Sequence, residues 1–281
     1  VLLKGAPVAR ALTEDLAARC AALREHGVVP TLAIVRVGER EDDLSYERGA
    51  LKRCEKVGIE ARRVLLPADV SQDELMAAIE GINADPAVHG CLMFRPLPAG
   101  LDEDAVAAAL DPVKDVDSMT PASLLTTLSG RGEGFAPCTA EACLHLLRAY
   151  GFDPAGRRVT VVGRSLVIGR PAALLLTRAD ATVTLCHRKT PGLAARCREA
   201  DILLAAAGAP GLITPAYVHP EQIVLDAGVT ALPDGTLLGD VAAEAAGTVA
   251  ACTPVPGGIG SVTTALLLLH TVQSAEIFHQ F

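Results

Sequence analysis

The stretch SYERGALKRC contains a tyrosine and a lysine, Tyr46 and Lys52, that could be either partners in chemistry or neighbours on an ordinary helix. A tyrosine ring can stack on a planar ligand, and a desolvated lysine can exchange protons near neutral pH. An α-helix turns roughly 100° per residue, which puts Lys52 about 120° around the axis from Tyr46. Ala50, four residues after Tyr46, lies only about 40° away. We therefore expect Lys52 to be an exposed helix lysine that does not act with Tyr46.

A second candidate site is the glycine-containing turn GRSLVIG, residues 163–169, between a strand-like and a helix-like stretch. Backbone N–H groups at such a junction bind phosphate groups. The turn departs from G-x-G-x-x-G because Ser165 replaces the second glycine and the third is displaced. We predict a dinucleotide-binding turn that includes Gly163, Arg164, Ser165 and Gly169. A turn that serves packing alone is the alternative.

The next strand ends in HRKT, residues 187–190, and its charge bears on which dinucleotide binds. An NAD site usually has an acid there, roughly 20 residues after the glycines, for the ribose hydroxyls. A basic cluster instead suits a 2′-phosphate. We therefore predict NADP rather than NAD, with His187, Arg188 and Thr190 at the site. A solvated basic turn is the alternative.

Short apolar runs alternate with helix-like stretches, which predicts parallel sheets covered by helices and hence an α/β protein. In the first half, Ser45 is the expected N-cap of a helix that ends at Gly58, and Ser71 opens another. The predicted strands of this half are 31–38, 59–67 and 88–94, with helices 45–58 and 71–83. The second half is a βαβ series, with helices 141–151 and 169–179 and strands 157–163, 181–187, 200–208 and 222–229.

Two domains are predicted from this pattern. The glycines and proline of residues 130–139 suit a linker. We expect an N-terminal α/β substrate domain over 1–139 and a Rossmann-type, doubly wound parallel-sheet domain over 140–261. A final apolar helix around 262–278 is expected to pack back on the first domain as part of the segment 262–281.

Composition excludes several classes of function. The net charge of -8 and pI of about 5.4, with no long basic run, argue against a nucleic-acid partner. No apolar stretch approaches the roughly 20 residues that cross a bilayer, and the first residues do not resemble a secretory leader. The eight cysteines form no C-x-x-C pair, which favours buried thiols in a reducing cytoplasm and no metal site.

Several motifs coincide with one family over nearly the whole chain. The sequence resembles the bifunctional 5,10-methylenetetrahydrofolate dehydrogenase / 5,10-methenyltetrahydrofolate cyclohydrolase enzymes of one-carbon metabolism. The matching stretches, in the family's order, are SYERGALKRCEKVGI (45–59), PLP (96–98), KDVD (114–117), PCT (137–139), GRSLVIGRP (163–171), ATVTLCHRKT (181–190), GDV (239–241) and TPVPGGIG (253–260).

The resemblance implies a homodimer that binds a tetrahydrofolate derivative in a cleft between the two domains. It implies that Tyr46 stacks on the folate and that Asp117 holds the pterin, so these two are the expected catalytic residues. The remaining residues that it implies for substrate are Phe94, Pro96, Gly257 and Gly258. For cofactor it implies Gly163, Arg164 and Ser165, together with Gly228 and the backbone of Val229.

The chain departs from the family at the residues that move protons. The family helix reads Y-V-x-x-K and is accompanied by Q-L-P-L-P, whereas here the lysine position is Ala50 and the glutamine position is Phe94. Arg53 returns to the face of Tyr46 but is two turns further along, and a guanidinium does not titrate at ordinary pH. A third departure is Arg188, which stands where the family's HSKT or HSRT has serine.

These departures separate two reactions. Hydride transfer to nicotinamide is driven by the neighbouring nitrogen lone pair and needs orientation more than a protein base. Hydrolysis of the methenyl ring needs a group that titrates near neutral pH. We therefore predict an NADP-dependent dehydrogenase whose cyclohydrolase activity is weak or absent.

Three other functions stay open at this point. The first is the full bifunctional enzyme, with another residue or a water moving the protons. The second is a non-catalytic folate or nucleotide sensor that kept the fold and lost turnover. For the two implied catalytic residues, the alternatives are a half-buried helix tyrosine at Tyr46 and a turn-forming aspartate at Asp117. The third is an unrelated Rossmann oxidoreductase acting on a small acid, since fold alone does not fix function.

Overall fold

The computed structural model describes residues 1–232 and 234–281, which form two compact units. One unit comprises Val1–Arg10 and Pro137–Thr263, and the other comprises Ala11–Ala136 and Thr264–Phe281. The domain boundaries expected from the sequence assign the first ten residues to the N-terminal domain, whereas here they belong to the unit of residues 137–263. Those residues belong with the later strands because the backbone N–H of Leu3 donates to Cys252 O (2.8 Å) and that of Gly5 donates to Gly257 O (2.8 Å).

The unit of residues 11–136 and 264–281, called here the three-stranded unit, has a parallel sheet in the order β2-β1-β3. Every residue of β1 is buried, as its apolar run TLAIVRV predicts for a central strand. Its elements are α1 (Gly5–Glu25, which begins in the other unit), β1 (Thr31–Val37), α2 (Glu41–Val57), β2 (Glu60–Leu66), α3 (Gln72–Ala84), β3 (Gly90–Met93), α4 (Glu103–Ala109) and α5 (Pro121–Ser129).

Helix α2 begins earlier than the sequence predicts and ends where expected. The predicted start at Ser45 is wrong, because the helix begins at Glu41 after Arg40. Three acids, Glu41 to Asp43, occupy its first turn, where the helix dipole favours negative charge, and they support the additional turn. The predicted end is confirmed by Gly58, whose φ of 85° suits glycine. The predicted start of the next helix is also confirmed, since Ser71 and Glu74 form a capping box.

A buried ion cluster fixes α2 against the sheet. Glu47 lies on the inner face of the helix and is 2% exposed. It accepts hydrogen bonds from Arg36 Nε of β1 (2.9 Å) and Arg63 Nε of β2 (2.5 Å). A buried carboxylate without such partners would be strongly destabilising. The cluster therefore sets the rotation of α2, with Tyr46 facing outward and Ala50 inward.

The loop that contains KDVD (114–117) is held in place by the first two residues of that motif, Lys114 and Asp115. Lys114 is 1% exposed, and its Nζ donates to the carbonyl oxygens of Ile82 (2.8 Å), Asn83 (2.9 Å) and Asp85 (2.8 Å) at the end of α3. Asp115 is fully buried, and its carboxylate accepts three hydrogen bonds, from Met119 N, Thr120 N and Ser123 Oγ. These bonds fix the backbone on either side of Asp117.

The unit of residues 1–10 and 137–263, called here the five-stranded unit, has a parallel sheet in the order β10-β7-β6-β4-β5. The chain runs from β4 to one side and then returns to the other, so the topological switch point lies between β4 and β6. Its elements are α6 (Cys138–Ala149), β4 (Arg158–Val162), α7 (Gly169–Arg178), β5 (Thr182–Cys186), α8 (Leu193–Arg198), β6 (Ile202–Ala205), β7 (Ile223–Asp226), β8 (Thr230–Ala231), β9 (Leu237–Leu238), α9 (Ala243–Ala246), β10 (Ala251–Cys252) and the start of α10 (Ile259–His279).

Most of α10 belongs to the three-stranded unit. His270 Nδ1 lies 2.8 Å from Val116 O, and Ser274 Oγ donates to Val113 O (2.8 Å). Arg19 of α1 pairs with Glu276 through two hydrogen bonds. The last helix is therefore bonded to the KDVD segment at Val116 and to Val113, directly before the segment. Within the described residues, none of the helices has the length and apolarity needed to cross a membrane.

All eight cysteines are buried free thiols, as the sequence predicts. Burial raises the pKa of Cys91 and of Cys143 to about 12. Thiols with so high a pKa carry almost no thiolate at neutral pH, so these two fill the core and are poor nucleophiles.

The bonds of Lys114 predict a large loss of stability for Lys114→Met. Three carbonyl oxygens at the end of α3 would lose a buried cationic donor, which costs about 2–4 kcal/mol. The free energy of unfolding, from urea titration followed by far-UV circular dichroism, measures this loss. Lys52→Met is the control, because Lys52 is exposed and should change stability by less than about 0.5 kcal/mol. Equal effects of the two changes would contradict the role of Lys114.

Candidate active site

Tyr46 presents its ring at the outer side of α2. The residue is 45% exposed, and its ring meets that of Phe94 edge to face, with centroids 5.7 Å apart and an interplanar angle of 83°. Phe94 itself is 8% exposed and follows directly after β3. The structure thus brings together two predicted substrate residues, and the partly exposed ring of Tyr46 is of the kind that stacks on planar ligands.

The predicted lysine position is occupied by a buried methyl group. Ala50 is 0% exposed, one helical turn after Tyr46. Lys52 and Arg53 are both exposed, as the helical spacing predicts, and the Arg53 guanidinium folds back over Gly49. Neither cation therefore takes the position of the missing amine.

Asp117 lies beside an arginine that sequence reasoning did not single out. Arg95 Nη2 is 3.8 Å from Asp117 Oδ2, and Arg95 Nη1 is 3.8 Å from Glu103 Oε1. The other carboxylate oxygen of Glu103 accepts from the backbone N–H of Leu97 (3.0 Å). The signal in the sequence was the position of Arg95, directly before Pro-Leu-Pro, where the family's Q-L-P-L-P has leucine.

A groove runs along the carboxyl ends of β1 and β3. Pro96 is exposed at its edge, next to Leu97 and Pro98. Its other wall is formed by the segment after β1 and by Ala68. Open α/β sheets bind ligands at this edge, so the groove is a suitable place for a substrate.

In the five-stranded unit, the turn after β4 requires glycine at both ends. Gly163 has a φ of 126°, and a Cβ on it would lie 1.9 Å from Ala206 O. A Cβ on Gly169 would lie 2.1 Å from Gly163 O. The two glycines therefore let the turn close on itself beside β6, at the switch point of the sheet. Arg164 and Ser165 are exposed on this turn, and Ser165 Oγ accepts from Ile168 N (3.1 Å) before α7 begins. The arrangement fits a dinucleotide phosphate at the start of α7.

The segment HRKT forms a tight turn after β5. The backbone N–H of His187 donates to Thr190 Oγ1 (2.9 Å), and that of Thr190 donates back to His187 O (2.8 Å). The N–H of Lys189 donates to His187 Nδ1 (3.2 Å). Arg188 is exposed at the tip, so its guanidinium is accessible to an anion.

Two buried aspartates organise the loops after β6 and β7. Asp240 accepts from the N–H groups of Ala207 (2.6 Å), Gly208 (3.0 Å) and Ala209 (2.7 Å). Asp226 accepts from the N–H groups of Gly228, Asp240 and Val241, at 2.9–3.0 Å. Burial raises the pKa of Asp226 to about 6, although these donors act against the rise.

The glycines beside these aspartates leave space for the carboxylates. A Cβ on Gly228 would lie 2.2 Å from the Asp240 carboxyl carbon, and one on Gly239 would lie 2.0 Å from Asp226 Oδ2. Val229, which follows Gly228, is 58% exposed. The pair thus fixes the backbone at Val229, a role that sequence reasoning missed although it quoted GDV.

The last predicted substrate residues lie before α10. Gly257 is exposed with a φ of 101°, a conformation that favours glycine. A Cβ on Gly258 would lie 2.5 Å from Pro254 O. Both positions therefore favour a residue without a side chain, and the backbone of Gly257 is accessible to a ligand. The described residues contain no group of three or more His, Cys, Asp and Glu side chains that could hold a metal ion.

The parallel sheet, its glycine turn at the switch point and the basic turn after β5 define a Rossmann-type dinucleotide-binding protein. Residues 137–279 match the family described as tetrahydrofolate dehydrogenase/cyclohydrolase, NAD(P)-binding domain. Residues 3–117 match the catalytic domain of the same family. The chain therefore belongs to the tetrahydrofolate dehydrogenase/cyclohydrolase family, and both its NAD(P)-binding and its catalytic domains are present.

Individual relatives agree over the full length. The chain is 45% identical to the bifunctional protein FolD of Carboxydothermus hydrogenoformans over 280 residues, which cover 99% of this chain and 98% of the relative. The crystal structure of the bifunctional FolD of Campylobacter jejuni has a TM-score of 0.95 at 36% identity, covering 99% of both chains. The Trypanosoma brucei enzyme, complexed with NADP cofactor and inhibitor, has a TM-score of 0.92 at 35% identity, covering 100% of this chain and 99% of that one.

The raised pKa of Asp226 predicts how stability depends on pH. Between its ordinary value near 4 and about 6, the folded chain binds this proton more tightly than the unfolded chain, so the contribution of Asp226 to stability falls as pH rises through 6. Asp226→Asn removes that titration and one acceptor oxygen, at a cost of about 1–3 kcal/mol. The stability gap between wild type and D226N should be larger at pH 5 than at pH 8. Urea unfolding at the two pH values measures it.

The control for that experiment is Asp180→Asn, because Asp180 is exposed and its φ of 62° suits asparagine. Its unfolding at the two pH values measures the effect of replacing an exposed carboxylate by an amide. A D226N gap that widens toward pH 8 would contradict the raised pKa of Asp226.

Proposed function

We propose that this protein is an NADP-dependent 5,10-methylenetetrahydrofolate dehydrogenase with little or no cyclohydrolase activity. The observation that supports the loss of hydrolysis is the pair Ala50 and Phe94. A buried methyl group and a phenyl ring packed on Tyr46 stand where the family has a lysine and a glutamine. Neither replacement carries a proton that exchanges near neutral pH.

The full bifunctional enzyme is the second candidate. It is favoured by the relatives, since the proteins from Carboxydothermus hydrogenoformans and Campylobacter jejuni are both named as bifunctional. An identity of 45% still leaves more than half of the aligned positions free to differ, and Ala50 and Phe94 lie at the positions that matter most for proton transfer. An assay of this chain therefore decides between the dehydrogenase and the bifunctional enzyme.

Dehydrogenation makes demands that this chain still meets. Bound NADP would supply the hydride acceptor: the C–H bond of the methylene carbon breaks, its electron pair leaves with the hydride, and the lone pair of the adjacent nitrogen forms the C=N bond. The protein has to hold two ligands in register and exclude water. We assign the stacking to Tyr46 and the pterin contact to Asp117, with Gly257 and Gly258 giving backbone access to the substrate. For the cofactor we assign the turn of Gly163, Arg164, Ser165 and Gly169, the segment of His187, Arg188 and Thr190, and the backbone at Gly228 and Val229.

Hydrolysis needs a group that the replacements have removed. Water must lose a proton as it attacks the methenyl carbon, and a ring nitrogen must gain one as the ring opens. A desolvated lysine suits both steps because its pKa can fall toward neutrality. An alanine and a phenylalanine can exclude water from this part of the site but cannot exchange a proton.

The assay of both reactions on one purified sample tests the proposal. Methylenetetrahydrofolate with NADP should give NADPH at a catalytic rate. Methenyltetrahydrofolate without NADP should disappear no faster than in buffer alone, as followed by its absorbance. Enzymatic hydrolysis far above the spontaneous rate would favour the bifunctional candidate. Failure to reduce NADP would favour a non-catalytic binding protein instead.

Restoring the family residues tests the cause. Ala50→Lys alone should not restore hydrolysis, because an added side chain at this fully buried position overpacks the core and Phe94 still stands where the family has a glutamine. The double change Ala50→Lys with Phe94→Gln should raise the rate by about tenfold or more, toward the range of general acid–base catalysis. Full recovery by the single change would contradict the role of Phe94.

The choice of NADP over NAD rests on the exposed guanidinium of Arg188 in the HRKT turn. Arg188→Ala should raise the KM for NADP about tenfold or more and leave that for NAD unchanged, since a charge-assisted bond to a phosphate is lost. Arg178→Ala is the control, because Arg178 lies at the far end of α7 and is exposed. A parallel loss with both cofactors would contradict a 2′-phosphate contact by Arg188.

Two further assignments belong to the proposal. We propose a homodimer, supported by β2, which is an edge strand with a half-exposed surface and Leu65 45% exposed. Sedimentation velocity tests it.

We also propose a cytoplasmic location, supported by eight unpaired, buried cysteines that suit a reducing compartment.

A further inference from the structure

Arg95 is a charged residue in the substrate region to which the proposed reaction assigns no task. It directly follows Phe94, and its side chain reaches Asp117 and Glu103 at 3.8 Å each. The guanidinium is 30% exposed. The family's Q-L-P-L-P has a polar residue followed by leucine, whereas this chain has phenylalanine followed by arginine. The polar group has therefore moved by one position along the segment.

The guanidinium keeps its hydrogen-bonding capacity. A guanidinium carries five N–H donors, and at 3.8 Å both carboxylates are ion-pair partners beyond hydrogen-bond distance. Among the described residues no hydrogen bond from Arg95 to the chain is formed, so its donors face solvent or a ligand. By contrast, Arg36 and Arg63 use their Nε donors on Glu47. The contrast separates an arginine that holds the fold from one that is available to substrate.

We propose that Arg95 orients the substrate by donating a hydrogen bond to the C4 oxygen of the reduced pterin, and that it selects 4-oxo over 4-amino pterins. This inference rests on the proposed function, in which Asp117 binds the same ring. The pyrimidinone edge presents, in order, an amino group, the N3–H and the C4 oxygen. A carboxylate accepts from the first two, and a neighbouring guanidinium donates to the third. Asp117 and Arg95 supply this acceptor and this donor side by side.

The surrounding charges are compatible with the reaction. Hydride loss leaves a cationic methenyl product, and a lone guanidinium nearby would oppose that charge. Arg95 is accompanied by Asp117 and Glu103, so the cluster of three carries a net negative charge. The donor can therefore be present without raising the barrier to hydride transfer.

The alternative is that Arg95 only braces the loop through its two ion pairs. Partly exposed pairs of this kind contribute little to stability, so the two roles give different results. A bracing role would affect every ligand of the site equally. A donor to the C4 oxygen affects only ligands that carry an acceptor there.

The test compares wild type, Arg95→Leu and Arg95→Lys. We expect R95L to raise the KM for methylenetetrahydrofolate about tenfold, as the loss of one charge-assisted bond implies, with the KM for NADP and the thermal midpoint unchanged. R95K should recover part of the loss. Calorimetric titration with a 4-oxo folate and its 4-amino analogue should show a wild-type preference for the 4-oxo ligand that is reduced in R95L, since the contact of Asp117 with N3–H is kept.

Arg62→Leu is the matched control, because Arg62 also forms a partly exposed ion pair, with Asp85, in the same unit. It should change neither the KM nor the ligand preference. Equal loss of both ligands in R95L, or no loss of either, would overturn the inference. Wild-type NADP reduction is measured first: if it occurs, a negative result with R95L counts against Arg95 alone, and if it is absent, the proposed function itself fails.

Discussion

Burial of the inner face of α2 is the constraint on which the substrate region depends. This face carries Glu47, which is stable in the interior only because Arg36 and Arg63 pair with it. The pairing fixes the rotation of the helix, so Tyr46 is held outward against Phe94 while Ala50 is enclosed. Since the position four residues after Tyr46 has no room for solvent, its chemistry is set by whichever side chain the sequence puts there. In this chain it is a methyl group.

The two units position their candidate binding residues by different means. The five-stranded unit uses bare backbone, with glycines at the turn after β4 and a pair of buried aspartates that hold the loops after β6 and β7. The three-stranded unit uses side chains that are anchored by buried charges, such as Lys114 on the end of α3. Backbone positions tolerate sequence change poorly because any Cβ would clash, whereas side-chain positions can be exchanged. Side chains in the three-stranded unit can therefore be exchanged while the backbone of the NAD(P)-binding domain is kept.

The sequence predicted the elements whose ends carry their own local signal. Ser71 with Glu74 and the glycine at 58 each specify a helix end through bonds within a few residues, and both were placed correctly. The start of α2 was placed wrongly at Ser45, because the three acids before it, which favour a helix N-terminus, were not taken into account. The roles of Lys114, Arg95 and the Asp226–Asp240 pair depend on residues distant in the chain. Only the folded structure brings those groups together, so their contacts could not be predicted from local sequence patterns.

We propose that Ala50 and Phe94 remove hydrolysis and leave hydride transfer intact. The most direct measurement is the ratio of two rates on one purified sample: methenyltetrahydrofolate hydrolysis without NADP, and NADP reduction with methylenetetrahydrofolate. We expect methenyltetrahydrofolate to be hydrolysed no faster than in buffer alone, while NADPH forms at a steady rate. Hydrolysis by the wild-type chain at a rate comparable to its NADP reduction would contradict it.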